Sequence, residues 1–441
     1  MDFRRINIKP ISEILFIYVS AIMILEKVVS DKTFLNHIMG ISAIIFSLLL
    51  AFHFRYCSSL FISTFFIAYS IYSIYIAVYV DPALRPDFYL QFTDETTYSI
   101  GLESLFLFSA VLYLLVNNNV ELSFAQLSID ISDSKTCGIN NALVGGICTA
   151  LILIIVFTNY SFNGASQRSE GTPLFEYKIL FLIIGMVYTR GKRYFKFIWE
   201  FLVIFLVAIS FIGGNRADAI PIMIAYIFFY HNNIKPRRMC IYVLLGIVTL
   251  ISIGAFRQTI LSGGIDVPLL FERIVHEKMT FDTAYWAYVP TMSALSLANT
   301  ASFSTKIDLL VGQVLYIFAG GRFSNNLLQI YSKKFYDHVN GFVSPAYFYF
   351  WFGMFGVLIF TLIVYWYIKK TFCIGHITDR RKRIIYICMS CYFISMTPRW
   401  FLYGPYSLIR GGLLMLLSSC FFFFVDMITS PLIYRSCRET H

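Results

Sequence analysis

Apolar windows about 20 residues long, the length that crosses a bilayer core, recur from one end of this chain to the other. No other feature restricts the fold as severely, because an uncharged segment of that length must be covered by lipid or by other segments like it. Twelve windows can be drawn, at roughly 11–29, 36–54, 58–80, 100–117, 141–159, 173–189, 196–213, 217–231, 239–256, 346–368, 384–398 and 407–428. Composition agrees: 58% of the 441 residues are hydrophobic and 14% charged, too few charges to coat an aqueous domain of this size. The expected fold class is all-α, a polytopic integral membrane protein of about 12 transmembrane helices, with residues 1–441 forming a single transmembrane domain.

The net charge of +10 does not point to nucleic acid, because Lys and Arg sit in short clusters between the apolar windows. With the basic start MDFRRINIKP inside, the connections TRGKRYFK, HNNIKPRRM and KKTFCIGHITDRRKR and the tail YRSCRETH all fall inside as well. The acidic SIDISDSK is then also inside, which the rule tolerates because acidic residues weigh little in it. Facing out are DPALRPDFYLQFTDETTYS, SFNGASQRSEGTP, the GGNRAD junction and a long segment over 257–345. The first window carries Glu13, Glu26 and Lys27 and no small-residue cleavage site follows it, so it reads as a retained helix. None of the nine cysteines falls in an outward connection, so no disulfide is implied. Cys388 and Cys391 have the spacing of a metal or redox pair, but without a second pair or histidines they read as helix packing.

Two charges interrupt the apolar run FIGGNRADAIPIMIAYIFFY. Asp218 fits an N-cap ahead of Pro221. Arg216 alone would fit a snorkelling anchor at the outer surface. It has company: Arg257 ends the window at 239–256, Arg322 lies in FAGGRFSNN, and Arg399 and Arg410 flank PRWFLYGPYSLIR. Outward connections do not ordinarily gather arginine, and the forked guanidinium suits bidentate phosphate recognition, so the expected ligand is a phosphate or diphosphate. Gly213 and Gly214, like Gly320 and Gly321, precede two of these arginines and allow close backbone approach. Neither pair fits a nucleotide-binding P-loop.

The long outward segment is itself apolar. LLFERIVHEKM and KIDLLVGQVLYIF have helical spacing and predict helices at the membrane surface or over the site. It ends in YDHVNGFVSPAYFYFWFGMFG, where Pro345 opens a helix that Gly353 and Gly356 thin for close packing. His338 just before it reads, by itself, as a hydrogen-bonding surface residue.

GGNRAD opening a helix, GGRFSNN in a long outward loop, His338 leading through VNGFVSP into a glycine-containing helix, and PRW with SLIR before the last helix occur in that order. In this the chain resembles, over roughly 200–428, the Wzy type of O-antigen and enterobacterial-antigen repeat-unit polymerases, relatives of the O-antigen ligases. The resemblance implies a membrane glycosyltransferase of the C type in the bacterial inner membrane. Its termini would be cytoplasmic, its active site periplasmic, and 257–345 would be a periplasmic loop. It implies undecaprenyl diphosphate-linked oligosaccharides as substrates, membrane lipids as surroundings, a chain-length regulator as a candidate partner, and neither cofactor nor metal. The growing glycan would pass from undecaprenyl diphosphate to a sugar hydroxyl of another lipid-linked unit. Arg216, Arg399 and Arg410 would stabilise charge on the leaving diphosphate, with Arg257 and Arg322 next, and His338 would position or deprotonate the acceptor hydroxyl.

A ligase transferring the same donor to lipid A core would use similar groups. A flippase of lipid-linked oligosaccharide would line a mid-depth cavity with charge, whereas here the apolar windows are nearly uncharged inside. The orientation is open to direct measurement. Single cysteines replacing Arg193 and Arg381 should react with an impermeant maleimide only from the cytoplasmic side, and labelling from the outer side would reverse it.

Overall fold

The computed structural model describes residues 8–29, 32–81, 95–119, 138–159, 177–212, 216–261, 280–319, 327–336, 338 and 341–439. A helix occupies each of the twelve apolar windows. In chain order these are α1 (Ile8–Val28), α2 (Thr33–His53), α3 (Ser58–Tyr75, prolonged by a π turn over Ile76–Val80), α4 (Glu95–Asn117), α5 (Gly138–Asn159), α6 (Lys178–Thr189), α7 (Arg193–Ile212), α8 (Arg216–Tyr230) and α9 (Pro236–Leu261). Three helices follow in the long connecting segment, α10 (Asp282–Leu297), α11 (Phe303–Ala319) and the short α12 (Leu328–Ser332). Then come α13 (Ser344–Phe372), α14 (Arg380–Ser395), α15 (Thr397–Leu402) and α16 (Tyr406–Glu439).

Among the described residues six helical stretches, Thr33–His53, Ser58–Val80, Thr97–Asn117, Asn141–Thr158, Ser344–His376 and Tyr406–Val425, are long and apolar enough to cross a membrane. Lys178–Thr189 and Asp218–Tyr230 are apolar but shorter. Phe16, Phe201 and Leu244 are among many large apolar side chains that point away from the protein, as they do where lipid is the solvent. The architecture is that of a helical membrane protein.

The core forms where α2, α3 and α4 pack together and α13 and α10 close against them. A second group, α5 to α8 with α14 and α16, joins it through α14 and α8. The small α15 sits between the groups, touching α3, α8, α10, α13, α14 and α16, and all six of its residues are buried. The long connecting segment contributes to this interior, since Ala284, Tyr288, Val289 and Met292 of α10 are fully buried. Of the two amphipathic stretches in that segment, 306–318 belongs to α11 and 269–279 lies outside the described residues.

The reading of 346–368 as one continuous helix needs correction. Gly353 has φ 58° and ψ −147°, a conformation essentially confined to glycine, and it breaks α13 into two arms. The Phe348 and Phe360 rings stack with centroids 5.2 Å apart, although twelve residues of straight helix would separate them by about 18 Å. The first arm is therefore folded back on the second, and a Cβ at Gly356 would overlap the Phe348 carbonyl. Gly356 does serve close packing, but between two arms of its own helix. The corner is fastened to α11 by Trp351 Nε1, which donates to the Lys306 carbonyl at 3.0 Å.

Gly353→Ala should lower stability by about 1–3 kcal/mol because alanine resists this backbone conformation. Gly146→Ala, on the open side of α5 with nothing within 4 Å, should be neutral or mildly stabilising. Thermal unfolding of the two variants in one detergent compares them directly.

Candidate active site

Two stretches of non-helical backbone meet inside the bundle, Gly341 to Val343 and Tyr403 to Pro405. Backbone amides and carbonyls away from water need partners, and here side chains and neighbouring backbone supply them. Phe342 N donates to the Leu402 carbonyl at 2.8 Å, and Phe342 and Tyr403 form an isolated parallel bridge. Val343 N donates to Thr291 Oγ1 of α10 at 2.9 Å, and Ser344 Oγ donates to the Trp400 carbonyl. At Gly341 a Cβ would press on the Ala287 backbone at 2.9 Å, so only glycine lets the strand-like segment lie against α10. Gly404, at φ 89°, turns the chain from α15 into α16.

These contacts hold α15, and α15 holds Arg399. Its guanidinium pairs with the Asp218 carboxylate from the first turn of α8 and lies over the Tyr403 ring, 5.3 Å from the centroid. Arg399 is 8% exposed and Asp218 6%, so the two opposite charges meet largely away from water. Asp218 is consequently not the N-cap: α8 starts two residues earlier, and the carboxylate is directed at the arginine, where the helix dipole also favours it.

The pair lies in the protein interior, among short helices. Helix α8 has 15 residues and α14 has 16, about 22–24 Å each, less than a hydrocarbon core of ~30 Å, and the pair lies where α8 begins and α14 has just ended. Ser63, the sixth residue of α3, donates to the Ile394 carbonyl at 2.8 Å, only five residues before Arg399. PRWFLYGPYSLIR is thus a broken helix in the interior, not a surface connection.

His338 is buried, 4% exposed, which overturns the surface reading. Its Nε2 is 2.9 Å from Ser332 Oγ, and that hydroxyl is also 3.0 Å from the Gln329 carbonyl. The ring is therefore held through Nε2, and the tautomer sets whether that nitrogen donates to Ser332 or accepts from it. The segment that follows His338 is the one bridged to Tyr403, which brings the histidine and the Arg399 turn into one region.

Arg410, in the first turns of α16, has a different environment. It is half-buried with its guanidinium 5.4 Å from the centroid of the Tyr316 ring on α11, and among the described residues no carboxylate pairs with it. Arg216 is the first residue of α8, and Arg257 lies within α9, which runs one turn beyond it to Leu261. The side chains of both, together with Gly213, Gly214 and Arg322, lie outside the described residues. Among the described residues no three His, Cys, Asp or Glu side chains gather as metal ligands would. Cys388 and Cys391 are wholly buried on α14, in packing positions.

Sequence reading missed one charged group. Glu103 of α4 is fully buried, with Lys27 Nζ 3.6 Å from its Oε1, while Glu26 is held by Lys27 at 2.6 Å and by Lys32 at 2.8 Å. The signal was a lone glutamate inside an apolar window, which has to face the bundle interior and a partner.

Asp218→Ala should destabilise the protein by about 3–5 kcal/mol, because it leaves the Arg399 charge buried and unpaired. Combining Asp218→Leu with Arg399→Met should cost much less than the sum of the single changes, as measured by thermal unfolding.

No protein-family model, no curated protein and no solved structure matches this chain, so the chemistry of the site is to be read from its own geometry.

Proposed function

We propose that this protein is a membrane glycosyltransferase of the polysaccharide-polymerase kind. It would act on oligosaccharides carried by a polyprenyl diphosphate, undecaprenyl diphosphate in a bacterial inner membrane. In this reading each of the twelve windows carries the chain across or into the bilayer, with α8 and α14 ending within it; both termini are cytoplasmic, and the broken helices open toward the periplasmic side. The observation that carries the proposal is Arg410, half-buried at a helix interruption with no carboxylate partner among the described residues, in one region with a buried ion pair and a buried histidine. Charge without a partner in such surroundings is costly unless a ligand of opposite sign is the intended partner.

The reaction needs little more than this. An acceptor sugar hydroxyl attacks the anomeric carbon of the donor glycan, the bond from that carbon to the diphosphate oxygen breaks, and the hydroxyl proton leaves to a base. Negative charge grows on the departing diphosphate, where Arg410 meets it most effectively in a site screened from water. Arg216, Arg257 and Arg322 are the further candidates for that anion. Arg399, already matched by Asp218, serves first to fix the turn between α15 and α16, and a diphosphate beside it would compete with the carboxylate. His338 is the candidate proton acceptor, with Ser332 holding the ring. The sequence has no outward DxD-like pair, so no divalent ion is invoked.

Purified protein given a polyprenyl diphosphate-linked repeat unit should produce a ladder of products one repeat apart. A single transfer to a different lipid acceptor would favour the ligase reading, and movement across vesicles without new bonds would favour a flippase. Arg410→Lys should lose most of the activity although charge is kept, and His338→Ala should lower turnover by roughly a hundredfold. Full activity in both would remove them from the reaction.

A further inference from the structure

Beside Arg410, three uncharged polar side chains form a chain with both ends open. Tyr347 donates its hydroxyl proton to Gln313 Oε1 on α11. The Tyr347 and Tyr406 hydroxyls are 2.8 Å apart, and since Tyr347 has spent its proton on Gln313, Tyr406 is the donor between them. At one end this leaves the Gln313 amide nitrogen, buried and without a hydrogen-bond partner among the described residues. At the other end it leaves lone pairs on the Tyr406 oxygen. Gln313 is 7% exposed, whereas Tyr406, Tyr316 and Arg410 are half-buried. The Tyr316 ring meets Tyr406 edge-on at 5.6 Å and carries Arg410 at 5.4 Å.

An unmet donor and an unmet acceptor at the two ends of one hydrogen-bonded chain distinguish between ligands. A phosphate oxygen can take a hydrogen bond from the Gln313 amide but has no proton for Tyr406. A sugar hydroxyl does both, and an aromatic ring beside Tyr406 suits the apolar C–H face of a sugar. We propose that Gln313, Tyr406 and Tyr316 form a sugar subsite that holds the glycan next to the diphosphate. Arg410 takes the anion and the other three residues take the first sugar. This rests on the substrate class proposed above and adds to it a position for the glycan and residues that select for it. A buried amide built to bond a hydroxyl discriminates strongly against a ligand lacking one, because the amide then stays unpaired.

The test uses full-length protein in lipid nanodiscs and two sets of probes. One is geranylgeranyl diphosphate, and the other is the same lipid diphosphate carrying glucose or N-acetylglucosamine. At least one sugar-bearing probe should bind the unaltered protein about tenfold more tightly than the bare diphosphate. Tyr406→Phe, which keeps the ring, should remove most of that preference and change affinity for bare geranylgeranyl diphosphate by less than about twofold, and Gln313→Leu should also remove most of the preference. Thermal unfolding of each variant identifies any that has lost its fold, and Tyr406→Phe is the conservative arm. A preference absent from the unaltered protein, or one that survives in a folded variant, overturns the sugar subsite while leaving the diphosphate reading intact. Failure of every probe to bind the unaltered protein overturns the diphosphate reading itself.

Discussion

Non-helical backbone within an apolar bundle is permitted only if its own amides and carbonyls are bonded there, and much of this structure answers that requirement. The extended segment at Gly341–Ser344 and the turn after α15 bond each other, through Phe342 and Leu402 and through Ser344 and Trp400. Thr291 closes the remaining amide at Val343. Leaving any one of these buried groups unbonded would cost about 1–3 kcal/mol, so the two interruptions stabilise each other and neither would persist alone. What is gained is a place, inside a set of helices, where polar side chains can be held rigidly without facing lipid.

The break at Gly353 belongs to the same arrangement. By folding back, the first arm of α13 carries Ser344 to the level of Trp400 and sets Tyr347 against α11 and Tyr406. Helix α10 supports the extended segment from one side, and α11 supplies Gln313 and Tyr316 from the other. The stretch between α9 and α13 thus contributes directly to the interior and to the candidate site.

The charges sort by whether the protein compensates them. Arg399 is matched by Asp218, and Glu26 by two lysines, so these groups fix helices to one another. Such pairs contribute little net stability compared with apolar packing, but they penalise any arrangement that separates them. Arg410 is held by an aromatic ring instead, which keeps its charge available. In the function proposed above, such an arginine, near an unmatched amide donor, is part of the binding surface.

Sequence by itself determined the helical class and put a helix in each of the twelve windows, six of them in stretches long and apolar enough to cross a membrane among the described residues, because hydrocarbon thickness and the need to bond the backbone locally act on contiguous residues. It also singled out the arginines, His338 and the glycines as departures from an apolar background. It did not determine what those departures meet. Asp218 looked like a cap because capping is a local rule, whereas its partner Arg399 is 181 residues away. His338 looked like a surface residue because burial depends on Ser332 and the packing around it, and Gly353 looked like a packing glycine because a helix break needs a reason outside the helix. Tertiary structure alone decided which charges are cancelled and which remain, since the energy of a buried charge depends on neighbours that no local pattern specifies.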